Sequence, residues 1–107
     1  MKVKPLTVGI DLDGGIELEN NETITMDIGD LALLEAEVYP DNSDPTITWT
    51  SSNKKIVAVD EDEWGDAIVE ALKESSSAVT ITAKTSNGKT AKVKIKVVDP
   101  YKPTGVE

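Results

Sequence analysis

The side chains best suited to chemistry stand together at residues 60–65, where Asp60, Asp62 and Glu63 precede Trp64 and Gly65. A large apolar ring with a polar edge, set among carboxylates, can pack on the face of a sugar while the acids accept from its hydroxyls. Trp64, Asp60, Asp62 and Glu63 are therefore the candidate ligand contacts. The competing role for such a ring is to seal an edge of the fold, and exposure of Trp64 separates the two. The same acids, or Asp41, Asn42 and Asp44, could offer oxygens to calcium, which takes six to eight of them. Asp11, Asp13 and Glu22 fall at the first, third and twelfth positions of a helix-loop-helix calcium loop. Ile16 stands where that loop needs glycine, and the flanking pattern is strand, so the motif is rejected. The plainer reading of all these acids is solvated turn residues. No metal ligand set and no cofactor is assigned.

Catalysis finds little support. The chain has no His and no Cys, which removes every nucleophilic triad that uses either as base or nucleophile. A carboxylate pair could act as acid and base only in a cleft that separates their pKa values. The acids here cluster in turns or alternate outward along strands. The expectation is a chain that is not an enzyme. With 20 acidic against 11 basic side chains, the formal charge of −9 repels phosphate backbones and anionic membranes. Nucleic acid is not an expected partner. The absence of cysteine also leaves no disulfide framework, so stability must come from packing.

The elements that must position these residues are strands. In Ala91-Lys92-Val93-Lys94-Ile95-Lys96-Val97, alternate residues are apolar and the lysines fall on the opposite, wet face. Such lysines could attract an anion, but the simpler role is to discourage pairing with other chains. Ser86-Asn87-Gly88-Lys89 carries turn chemistry between this strand and Ala78-Val79-Thr80-Ile81-Thr82-Ala83, so the last third reads as a β-hairpin. Residues 67–72 read as a strand, although Ala, Glu and Leu there would also suit a short helix. Ile47-Thr48-Trp49-Thr50 and Ile56-Val57-Ala58-Val59 give two more strands, with Trp49 directed to the core. Along residues 32–38, Ala32, Leu34, Ala36 and Val38 face inward while Glu35 and Glu37 face water. Leu31 and Leu33 are then left outside without a reason. Residues 6–12 and 22–26 are shorter strands flanking a Gly14-Gly15 turn. Seven or eight short strands without a long helix predict an antiparallel sandwich or barrel.

The order of motifs resembles the group 2 bacterial immunoglobulin-like domains. The likeness runs from Ile28-Gly29-Asp30 through Val38-Tyr39-Pro40, Trp49-Thr50-Ser51-Ser52-Asn53, Val57-Ala58-Val59-Asp60 and Val79-Thr80-Ile81-Thr82-Ala83 to Asn87-Gly88-Lys89-Thr90. It covers residues 8–98. The resemblance implies an all-β fold, an immunoglobulin-like antiparallel β-sandwich of seven to eight short strands. Two departures stand out. Glu74-Ser75-Ser76-Ser77 replaces the glycine usual before the strand at Ala78, and residues 60–65 are longer and more acidic than usual.

The expected organisation is a tail over residues 1–5, one domain over 6–98, and a proline-containing linker over 99–107. Gly105-Val106-Glu107 repeats the pattern of Gly9-Ile10-Asp11, as though another repeat were beginning. The ends, and the lack of an apolar leader at Met1-Lys2-Val3-Lys4-Pro5, read as an internal piece of a longer chain. The resemblance implies a spacer or display unit of a cell-surface or secreted protein, extracellular, or alternatively a phage tail or capsid decoration in a virion. Neighbouring domains of the parent chain are the expected partners, with a cell-surface glycan or protein as a further one. Membrane insertion is not expected, and the isolated domain should be a monomer. The alternative is a specific carbohydrate- or protein-binding module, using the residues around Trp64 or the loop at 53–55.

Overall fold

Alternation of inward apolar and outward polar side chains runs through nearly every strand of the computed structural model, which describes residues 7–12, 16–39, 46–62 and 65–99. The strands are β1 (Thr7–Leu12), β2 (Ile16–Leu18), β3 (Glu22–Asp27), β4 (Leu31–Tyr39), β5 (Ile47–Ser51), β6 (Val57–Glu61), β7 (Ala67–Ala71), β8 (Val79–Thr85) and β9 (Thr90–Val98). They form a five-stranded sheet in the order β2-β1-β4-β7-β6 and a four-stranded sheet in the order β3-β9-β8-β5. This is the expected immunoglobulin-like β-sandwich, with nine strands among the described residues rather than seven or eight. The addition is β2, whose three residues are too few to show a period. Gly14 and Gly15 lie outside the described residues, as do the predicted tail over 1–5 and all of the predicted linker but Asp99.

The first part of the chain divides itself between the two sheets. β1 pairs antiparallel with β4, while β3 lies parallel to β9 in the other sheet. Two turns carry these changes. At the first, Asn21 takes a left-handed conformation (φ 67°), which asparagine tolerates better than most residues. The Asn21 N–H donates to the Lys92 carbonyl at 2.7 Å, and Asn20 Oδ1 accepts from the Lys92 N–H at 2.9 Å. At the second, Gly29 has φ 93°, a region closed to most L-residues by their Cβ. Its N–H donates to the Ala71 carbonyl at 2.8 Å, and the Ile28 N–H reaches Val98 of the opposite sheet at 2.9 Å. Asp30 closes the turn by accepting from the Asp27 N–H at 3.1 Å. The Ile28-Gly29-Asp30 motif is thus the joint that returns the chain to the five-stranded sheet.

Between the sheets, Ile10, Leu34, Val57, Val69, Ile81, Val93, Ile95 and Val97 are fully buried, with Trp49 beside them. Ala32, Leu34, Ala36 and Val38 face this core as their alternation requires. The β8–β9 hairpin is antiparallel, as expected. Its turn differs from a two-residue Asn-Gly turn, because Gly88 alone has positive φ, at 92°. The Thr85 N–H donates to the Lys89 carbonyl and Thr85 Oγ1 donates to Asn87 Oδ1, giving a wider loop closed by a buried threonine. Residues 67–71 are strand, not helix, because β7 is held on both sides by β4 and β6.

Leu34 is fully excluded from solvent at the middle of β4. Leu34→Ala should lower unfolding free energy by about 2–5 kcal/mol, seen as a lower denaturant midpoint with unchanged slope.

Candidate functional site

The loop after β6 is anchored at both ends. The Asp62 N–H donates to the Asp66 carbonyl at 2.9 Å, and Asp62 Oδ1 accepts from the Asp66 N–H at 3.0 Å. From the opposite sheet, the Trp49 indole N–H donates to the Gly65 carbonyl at 2.8 Å. Trp49 therefore fills the core, as its place in β5 predicts, and also pins the end of this loop. Asp60 is exposed on β6, directly opposite Ile68. Asp62 Oδ1 is engaged in the turn. Glu63 and Trp64 lie outside the described residues, and so do Asp41, Asn42, Asp44 and Tyr101. Among the described residues no three acidic side chains converge to hold a metal ion.

The loop at 53–55 is built by the preceding serines. Ser51 Oγ donates to the Val57 carbonyl at 2.8 Å, and Ser52 Oγ accepts from the Thr80 N–H at 2.9 Å. Asn53 Oδ1 accepts from the Lys55 N–H at 3.1 Å, while the Asn53 carbonyl receives the Ile56 and Val57 N–H groups. The Ser51-Ser52-Asn53 motif is thus a hydrogen-bonded corner joining β5, β6 and β8. Beside it opens a cleft of about 600 Å³, lined by Ser52, Asn53, Lys73 and Glu74, with Ile56 and Val79 as apolar wall. Ser75, Ser76 and Ser77 complete the lining, and its polar groups can hydrogen-bond a hydroxylated ligand.

The strongest electrostatic feature lies elsewhere, on the outer face of the five-stranded sheet. Asp11 faces Glu17 of β2 and Glu35 of β4 across the ladder. Burial, then a hydrogen bond with Glu37 and the charges of Glu37, Glu17 and Glu35, pushes its carboxyl up to about 6. Tyr39 Oη donates to Glu37 Oε2 at 2.6 Å. That bond, followed by the bond from Asp11, holds Glu37 below the usual carboxylate range, while the phenol of Tyr39 is raised to about 12. Below about pH 6 the pair is a protonated Asp11 donating to Glu37. Two carboxyls in direct contact leave no room for a glycosidic bond between them, since glycosidases need them about 5–9.5 Å apart. Outward alternation of the acids was visible in the sequence, but their meeting depends on the β1–β4 register. Burial also raises Asp66, with the charges of Asp62 and Glu35 adding to it.

The described architecture and turns coincide with a known family model. Residues 16–95 match the bacterial Ig-like domain (group 2). The chain belongs to that family. This Ig-like domain is also 32% identical over 105 residues to a lacto-N-biosidase of Bifidobacterium bifidum, covering 94% of the chain and 9% of that protein. It is 29% identical over 100 residues to a 3-O-alpha-D-galactosyl-alpha-L-arabinofuranosidase of Bifidobacterium longum subsp. longum, covering 91% of the chain and 8% of that protein. The Ig-like domain thus spans less than a tenth of the length of either curated relative. Among solved structures, a chimeric titin Z1Z2 carrying an exogenous decorin peptide matches with a TM-score of 0.42 and 13% identity, over 85% of this chain and 95% of that one.

Two outcomes follow. Trp49→Phe keeps the ring in the core but leaves the Gly65 carbonyl without the indole donor. It should cost about 1–3 kcal/mol in denaturant unfolding and speed amide exchange at residues 65–66. For Asp11, the folded pKa lies above the unfolded one, so its contribution to stability is complete below about 3.8 and lost as pH rises through about 6. Glu37 works oppositely, its contribution being present above its ordinary value of 4.5 and lost on acidification. Unfolding midpoints should therefore fall between pH 5 and pH 7.5. Asp11→Asn, which keeps a donor beside Glu37 at every pH, should flatten that decline and raise the midpoint at pH 7.5.

Proposed function

We propose that this Ig-like domain is a non-catalytic structural module of an extracellular, glycan-processing multidomain bacterial protein, in which a stiff sandwich spaces and orients neighbouring domains. The observation that carries this reading is what the described polar side chains do. Asp62, Ser51, Ser52, Asn53, Asp30 and Thr85 are each spent on closing a turn. The carboxyl pair of Asp11 and Glu37 lies in direct contact on a sheet face. The matched relatives, glycosidases by name, contain this length of chain as a small part. That proportion suits an accessory domain better than a catalytic one.

A second reading is favoured by the anchoring of residues 62–66. A loop held by the Asp62–Asp66 bonds and by Trp49 could present Trp64 with little loss of conformational freedom on binding, as a carbohydrate- or protein-contact site. Surface adhesion and decoration of a virion are narrower versions of the same display role.

The 107-residue chain, mixed with lacto-N-biosyl and galactosyl-arabinofuranosyl substrates, should release no sugar. Its tryptophan fluorescence should stay constant as oligosaccharides are added. Saturable quenching abolished by Trp64→Phe would replace the spacer with the binding module, and turnover would overturn both.

A further inference from the structure

The two outer faces of the sandwich carry opposite charge, and neither is explained by the spacer role. On the four-stranded sheet, the outward residues of β9 include Lys92, Lys94 and Lys96, and Lys84 projects from β8. The ladder sets Lys92 opposite Thr82, and sets Lys94 between Thr80 and Thr23. Asp27, at the end of β3, is the carboxylate in phase with this face. The expected role for these lysines, to keep other chains from pairing with the strand, fails on topology. β9 lies between β3 and β8, so it has no free edge to protect. A chain with almost twice as many acids as bases nevertheless presents this face as a lysine and threonine surface.

The outer face of the five-stranded sheet is its complement. The register places Asp11, Glu17, Glu35, Glu37, Asp60 and Glu70 there, with no lysine among them. Leu31, Leu33 and Ile68 share the face, with Leu31 65% and Ile68 39% exposed. These are the outward leucines that the alternation of β4 leaves without a reason. Glu35 and Glu37 repeat along β4, and the three lysines along β9, at the same spacing of about 6.8 Å, because both follow the two-residue strand repeat.

From this complementarity we infer that a second copy of this chain docks on the lysine face through its acidic face, stacking sandwiches front to back. Lysine stems and threonine methyls supply the apolar cover for Leu31 and Ile68, while ammonium groups reach the surrounding carboxylates. The contact is heterologous, so each copy keeps one face open and the stack grows laterally rather than closing as a dimer. A four-stranded face whose strands average about seven residues measures roughly 23 Å by 19 Å. The interface is then about 900 Å² in total, in the range of weak, transient contacts. Association is therefore weak and matters where copies are crowded, and a dilute chain is monomeric. The charge of −9 on each copy opposes approach at a distance. At about 0.1 M salt the screening length is only about 10 Å, so the facing surfaces govern the contact.

The test is sedimentation equilibrium of the whole chain, from dilute to millimolar, at about 0.1 M and about 0.5 M salt. The weight-average mass should rise with concentration at the lower salt and fall back at the higher. One variant, Lys92→Glu with Lys94→Glu and Lys96→Glu, loses the basic face. Another, Glu35→Lys with Glu70→Lys, weakens the acidic face. Each alone should associate at least about tenfold more weakly than wild type. Mixed in equal amounts, they still supply one native face of each kind and should regain the association that neither shows alone. Circular dichroism checks that both fold. A wild type that stays monomeric at 0.1 M salt, or a folded pair of variants that does not combine, would overturn the inference. So would a wild type that stays monomeric but binds polyglutamate through the three lysines, since the occupant would then be a polyanion.

Discussion

A single hydrogen bond across the sandwich, from the Trp49 indole to the Gly65 carbonyl, ties the parts of this domain whose behaviour matters most. The ring fills the space between the sheets where the chain has no phenylalanine to offer. Its one polar atom must find a partner there, because an indole N–H buried without one costs more than the packing tolerates. It finds that partner at Gly65, ahead of β7, so burying the ring and setting the β6–β7 loop are the same event. The adjoining Asp62–Asp66 bonds would hold the loop less firmly without it.

A second constraint is that the first part of the chain must serve both sheets, β1 and β2 in one and β3 in the other. β1 completes the five-stranded sheet and β3 runs parallel to β9, so the last strand is paired on both sides. Asn20 and Asn21 at one joint, and Gly29 with Asp30 at the other, satisfy the backbone groups freed where the chain leaves one sheet for the other. This arrangement turns β9 into an interior strand. It thereby changes the meaning of its lysines from edge protection to a charged surface.

Much of the fold was legible because burial imposes a period of two on a half-buried strand. The inward set of β4, the β8–β9 hairpin and the core position of Trp49 all follow from alternation and turn chemistry. β2 was not legible, since three residues carry no period and its pairing with β1 is what makes it a strand. The candidate site was legible in part. The bond from the Asp66 N–H to Asp62 Oδ1 could not be read, since it depends on where Asp66 stands after folding.

The residues themselves were enough to establish a small all-β chain with neither His nor Cys, a hydrophobic stripe on each long strand and an excess of acid. Those properties are local, set by side-chain type and by the strand period. Which acids meet, and which lysines share a surface, was settled by strand order and register. Asp11 stands twenty-six positions from Glu37, and Thr23 seventy-one from Lys94, and no local rule relates them. Pairing β1 with β4 brought the carboxyls into one hydrogen-bonded pair, and placing β9 between β3 and β8 gathered the lysines opposite threonines. The electrostatic character of the two faces therefore comes from the ladder, because a sheet joins residues by hydrogen bonds across the chain rather than along it.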